Sequence, residues 1–182
     1  MNKEPIMPKD IFFFDTETTG IGKDARIIQI AWIRKGITKA TLIKPEGLWE
    51  MHAKAFETHG ITKEKAEAEG RTLLGVMQEI KKAIDESKLI VGHNISFDIQ
   101  MLGQEFARCG LPAEFPKTSC TMKGSMYHVN LPGRYGKPKW PTLQELHRHL
   151  FGDEFSDAHD AKSDIEATMR CYYELRCREV MQ

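Results

Sequence analysis

Residues 12–20 read FFFDTETTG: three phenylalanines run into Asp15, Thr16 and Glu17 before Thr18, Thr19 and Gly20 break the pattern. With Ile11, the phenylalanines form an unbroken apolar run, which predicts a strand covered on both faces at the centre of a sheet. Side chains two apart along a strand share a face. If the strand persists through Glu17, Asp15 and Glu17 therefore project together while Thr16 points the other way. Two carboxylates beside so apolar a segment repel each other and lose hydration, so something elsewhere in the chain must compensate them.

Outward from this stretch, residues 26–33 (RIIQIAWI) and 37–43 (ITKATLI) are β-branched apolar runs separated by Arg34-Lys35-Gly36, which predicts a hairpin. Helices are expected over 63–70 and 72–88, with Thr62 and Thr72 as N-caps and Leu73, Val76, Met77, Ile80 and Ile84 as a buried stripe. A short strand at 89–91 precedes a helix over 94–110 that ends at Gly110. Another short strand falls near 118–121, and residues 131–141 (LPGRYGKPKWP) form a proline- and glycine-rich loop. Helices over 142–150 and from Asp160 to about Val180 close the chain. Strands first, then helices alternating with short strands, predict an α/β fold.

At 182 residues the chain is long enough for one domain, 1–182, with a core that needs no staples. Lys+Arg and Asp+Glu are equal at 26 each, so no overall positive field draws in nucleic acid, and such a partner requires local charge or metal ions. The four cysteines form no C-x-x-C pair, which favours free thiols in a reducing compartment. The polar start MNKEPIMPKD is followed by an apolar run too short for a leader or a membrane span, so a cytoplasmic location is expected.

Two further acids lie in telling places. Asp98 stands three residues after Ile95 and four before Leu102, beside the apolar stripe of its helix. Asp164 lies between Ala161 and Thr168 at the same offsets, among small side chains, with His159 just ahead of the helix. If Asp15, Glu17, Asp98 and Asp164 converge, their repulsion is relieved by divalent cations, and oxygen ligands favour Mg²⁺ or Mn²⁺ over zinc. Two such ions about 3.5–4 Å apart activate water and stabilise a leaving oxygen in phosphoryl displacement, with His159 as a fitting general base.

Three separated motifs carry a resemblance: FDTETTG at 14–20, GHNISFD at 92–98 and HDAKSD at 159–164. In this order they resemble the DEDDh 3′–5′ exonucleases of the ribonuclease H-like superfamily, whose members include the proofreading subunit of a bacterial replicative polymerase. The resemblance spans residues 11 to about 175. It implies a ribonuclease H-like fold with a mixed central β-sheet flanked by α-helices. It assigns two metal ions to Asp15, Glu17, Asp98 and Asp164 and the general base to His159. It also implies hydrolysis from the 3′ end of a single-stranded nucleic acid, DNA favoured, releasing nucleoside 5′-monophosphates.

By the same resemblance, AFETHGIT at 55–62 gives His59 a role in holding the terminal nucleotide, joined by Thr18, Ile21, Asn94 and Phe97. Lys54 stands where the proofreading subunit carries an acid, and the polymerase-tethering extension of that subunit is expected to be missing here. A polymerase or replisome partner is left open, as are trimming of RNA 3′ ends and a non-catalytic adaptor role. Read without the family, His159 and Asp164 also fit a plain helix cap, with Asp160 as the N-cap residue. His93 is expected to be structural, and His52, His128, His147 and His149 to be surface or helix-face residues. Arg134, Lys137 and Lys139 with Tyr135 and Trp140 make the 131–141 loop basic and aromatic, a composition that tracks phosphates and stacks bases.

Overall fold

The computed structural model describes residues 7–156 and 158–181. Residues 1–6, which carry most of the polar start, and positions 157 and 182 of the expected 1–182 domain lie outside the described residues.

Strand β1 (Ile11–Thr18) outlasts its apolar half and runs through both acids. It pairs antiparallel with β2 (Ile27–Arg34), Phe12 opposite Arg34 and Glu17 opposite Gln29, and β2 turns back antiparallel into β3 (Ile37–Lys44). The turn holds Lys35 and Gly36 at φ 51° and 75°, the left-handed pair that matches strand twist in a two-residue hairpin. A two-residue strand, β4 (Arg71–Thr72), extends the sheet beyond β3. On its other edge β1 pairs parallel with β5 (Leu89–Gly92), and β5 with β6 (Lys117–Cys120). The order is β4-β3-β2-β1-β5-β6, a mixed sheet with β1 inside it.

The helices are α1 (Ala53–His59), α2 (Lys63–Glu69), α3 (Leu73–Asp85), α4 (Ile95–Arg108), α5 (Thr121–Val129), α6 (Leu143–Phe151) and α7 (Ala161–Cys177). Strand alternation divides them between the faces of the sheet. Phe12 and Phe14 pack with the stripes of α3 and α4, including Val76, Ile80, Leu102 and Phe106. Ile11 and Phe13 pack on the opposite side against Ile165 and Tyr172 of α7, with the Phe13 and Tyr172 rings edge-on at 5.5 Å. The sheet is thus covered on both faces, which is the ribonuclease H-like arrangement.

Several boundaries differ from expectation. The helix of 72–88 stops at Asp85, and the last helix stops at Cys177. Thr62 caps α2 through a bond from the Lys65 amide, whereas Thr72 occupies the N-cap of α3 without a side-chain bond. Helices α1 and α5 were not anticipated. His147 is no surface residue: it is 1% exposed, and its Nδ1 donates to the Asp153 carbonyl at 2.9 Å. Beneath the α4 face, Arg26 and Glu105 form a buried two-pronged ion pair, Nε to Oε1 at 2.9 Å and Nη2 to Oε2 at 3.2 Å.

Candidate active site

The pairing of β1 with β5 runs only from Ile11 to Phe13, so the β5-side edge of β1 is unpaired where the acids begin. The first turn of α4 occupies that space. Gly92 permits the approach: a Cβ there would lie 3.2 Å from the Phe14 carbonyl and 2.7 Å from Ile95 Cδ1. Asn94, at φ 66°, then swings the chain into the helix. Asp98 is consequently only 3% exposed, and its Oδ1 accepts the Thr16 hydroxyl at 2.7 Å. Thr16 does point away from Asp15 and Glu17, and this is where it points. His93 is structural, as expected, with Nδ1 against Thr121 Oγ1 at 3.0 Å and Nε2 against the Pro141 carbonyl at 3.1 Å.

The opposite face receives α7. Gln29, the β2 partner of Glu17, donates from Nε2 to Asp160 Oδ1 at 3.2 Å and accepts the Ala161 amide at 3.3 Å. Asp160 in turn caps the helix by accepting the Ser163 amide at 3.3 Å. This anchor sets the first turn of α7, and with it Asp164, over the face that carries Asp15 and Glu17. His159 has φ 71°, sparsely populated for any residue with a Cβ, and its amide donates to Asp164 Oδ2 at 3.2 Å. Its ring stays exposed. One ligand atom each from Glu17, His159 and Asp164 lie within 4.8 Å of one another.

Burial is the largest influence on all four acids. Burial, then the charges of Asp98, Asp164, Glu17 and Asp160, push the Asp15 carboxyl well above its ordinary range. Burial, followed by Asp164, Asp98 and Asp160, raises Glu17 to about 8. Burial lifts Asp98 to about 7 against the opposing bond from Thr16, and Asp164 to about 6 against the His159 amide. Buried carboxyls whose charged forms are disfavoured in this way mark a place prepared for positive charge. The donor set, four carboxylates and one imidazole, suits a hard divalent cation.

Beside Glu17 opens a cleft of about 980 Å³. Thr18, Ile21, His59 and Phe97 line it, with His52 and Lys54 on the same wall. Ile21 is 85% exposed, an apolar side chain standing free at the rim. His59 Nε2 meets the Thr18 carbonyl at 3.2 Å and its Nδ1 accepts the Ile61 amide at 3.0 Å, which fixes the ring against β1. Burial holds its pKa below the usual value, with the nearby His159 adding to the effect. Asn94 stands apart from this wall, at the N-cap of α4. Asp160 caps α7 as expected, whereas the supporting roles of Thr16 and Gln29 escaped the sequence reading. Their signal was weak: a threonine between two acids and one glutamine within RIIQIAWI.

The family model for exonucleases matches residues 12–172, and this chain belongs to that family, in its DEDDh 3′–5′ branch within the ribonuclease H-like superfamily. An uncharacterized exonuclease, CP81, of Escherichia phage 186 is 28% identical over 168 residues, covering 88% of this chain and 84% of its own. Among solved structures, E. coli Exonuclease I in complex with a dA16 oligonucleotide superposes with a TM-score of 0.79 at 23% identity. The zinc-bound form of the same enzyme with single-stranded DNA gives 0.80, also at 23% identity. Each superposition covers 93% of this chain but 41% of the Exonuclease I chain, so this chain spans under half the length of those relatives.

Proposed function

We propose that this chain is a metal-dependent 3′–5′ exonuclease, contained in a single domain, that removes nucleoside 5′-monophosphates one at a time from single-stranded nucleic acid. The observation that carries this reading is the convergence of Glu17, Asp164 and His159 within 4.8 Å, with Asp15 and Asp98 close enough to raise and share the charge. Asp15, Glu17, Asp98 and Asp164 would hold two divalent cations, Mg²⁺ or Mn²⁺. When bound, these supply positive charge to the scissile phosphate and to the oxygens entering and leaving it.

The remaining work falls to the protein. His159, tethered through its amide and free at its ring, takes the proton of the attacking water on a ring nitrogen. The water oxygen bonds to phosphorus and the bond from phosphorus to the 3′ oxygen of the penultimate nucleotide breaks. The shortened strand keeps a 3′ hydroxyl and the released nucleotide carries the 5′ phosphate. Thr18, Ile21, His59 and Phe97 hold the terminal nucleotide in the cleft beside Glu17, with Asn94 contacting the strand from the start of α4. Thr16 and Gln29 hold Asp98 and α7 in place.

DNA is the favoured substrate, supported by the oligonucleotide complexes of Exonuclease I. Among the described residues no helix is long and apolar enough to cross a membrane, and all four cysteines are unpaired. Both observations fit work in the cytoplasm. The test is digestion of matched single-stranded DNA, duplex DNA and RNA with Mg²⁺ or Mn²⁺ by the wild type, Asp15→Ala and His159→Ala. Stepwise mononucleotide release by the wild type and its loss in both variants is expected; full activity in either variant overturns the mechanism.

A further inference from the structure

The loop at 131–141 is built to a definite shape. The Lys139 amide bonds the Leu131 carbonyl at 3.1 Å, and a Cβ on Gly133 would lie 2.3 Å from the Lys137 carbonyl oxygen, so the chain folds tightly back on itself. Its far end is fastened to the candidate site through the Pro141 carbonyl, which meets His93 Nε2 within the same motif that delivers Asp98. Burial lowers the His93 pKa to about 4, so the ring stays neutral and the fastening holds across physiological pH.

What this loop displays is costly to display. Tyr135 is 96% exposed and sits at φ 58°, a left-handed conformation that an aromatic residue rarely adopts. Trp140 is 57% exposed, whereas Trp32 and Trp49 are 4% and 7% exposed. Lys139 is engaged with Glu145, but among the described residues Arg134 and Lys137 have no carboxylate partner. Two rings free to stack and two cations free to meet anions, on a closed loop tied to the motif of Asp98, match the chemistry of a single strand of nucleic acid.

We propose that this loop is a second contact for the substrate strand, beyond the terminal nucleotide. Tyr135 and Trp140 stack on bases, and Arg134 and Lys137 meet phosphates. The inference rests on the exonuclease reading and extends it to the length of strand the protein grips.

The test reads Trp140 directly, because it is the exposed tryptophan. In EDTA, where hydrolysis stops, an oligothymidylate of about twelve nucleotides is expected to shield its emission from acrylamide, a change absent in Trp140→Phe. The double variant Tyr135→Asn with Trp140→Leu, in which asparagine suits the left-handed backbone, is expected to bind this oligonucleotide about tenfold more weakly. With Mg²⁺, its hydrolysis of a dinucleotide is expected to match the wild type. Hydrolysis by the wild type in Mg²⁺ without shielding of Trp140, or with undiminished binding by the double variant, overturns this proposal alone. Failure to bind or cleave any oligonucleotide overturns it together with the exonuclease reading.

Discussion

The Thr16 hydroxyl donates to Asp98 Oδ1 at 2.7 Å, joining two residues 82 positions apart in the chain and wholly within a buried environment. A carboxylate in such a place is held in orientation by its donor. Thr16→Val keeps the shape and removes the hydrogen bond. It is expected to lower apparent metal affinity or activity by about tenfold or more, and Thr16→Ser to restore it. A titration of activity against Mg²⁺ checks this, and an unchanged midpoint and plateau in the valine variant would show the bond to be incidental.

Gln29 offers a similar test from the other side of β1. Gln29→Leu breaks both bonds to the start of α7 while leaving the apolar strand around it intact. Because the expected loss lies in placing Asp164 and His159, kcat should fall by about tenfold with KM nearly unchanged. A rise in KM at constant kcat would mean that Gln29 serves strand binding instead.

The pH dependence of stability without metal has a definite sign. Folding raises the Glu17 pKa from 4.5 to about 8, so the metal-free folded chain keeps a proton that the unfolded chain releases. Its contribution is fully present below about 4.5 and lost by about 8, and stability falls as pH rises through that window. Glu17→Gln in EDTA should therefore unfold at a higher temperature than the wild type at pH 8, with the gap closing toward pH 4.5. Adding Mg²⁺ at pH 8 should raise the wild-type midpoint. A gap that stays constant with pH would contradict the shift.

Glu105 is fully buried against Arg26, with further bonds from the Ile27 amide and the Arg108 guanidinium. Glu105→Ala strands a buried guanidinium without its partner, at an expected cost of about 3–5 kcal/mol. Urea unfolding measures it. A loss below about 1 kcal/mol would place the pair in the range of exposed ion pairs.

Much of this fold is legible in the sequence because local patterns and burial agree. The unbroken IFFF run predicts a strand covered twice, and the structure puts alternate phenylalanines into opposite cores. The α3 stripe is equally plain, since all five of its predicted apolar positions are buried. By contrast, α1 buries no residue fully, and α5 buries Thr121 and Ser125 alongside Val129, so neither writes an apolar period into the sequence. The Arg26–Glu105 pair was illegible for another reason: a charge inside an apolar stripe is recognisable only once its partner, 79 positions away, is known. The same holds for Lys139, whose link to Glu145 removes it from the free cations of its loop. The candidate acids were readable through spacing and resemblance. Their supports, Thr16 and Gln29, depend on which side chain faces which edge.

Glu17 belongs to the first strand and Asp164 to the last helix, so the cluster is drawn from both ends of the chain. A ribosome therefore makes the opening acids long before their counterparts exist. Any product of premature termination ahead of residue 159 lacks His159 and Asp164 outright. Under the proposed mechanism, activity therefore waits until α7 has been made and has docked.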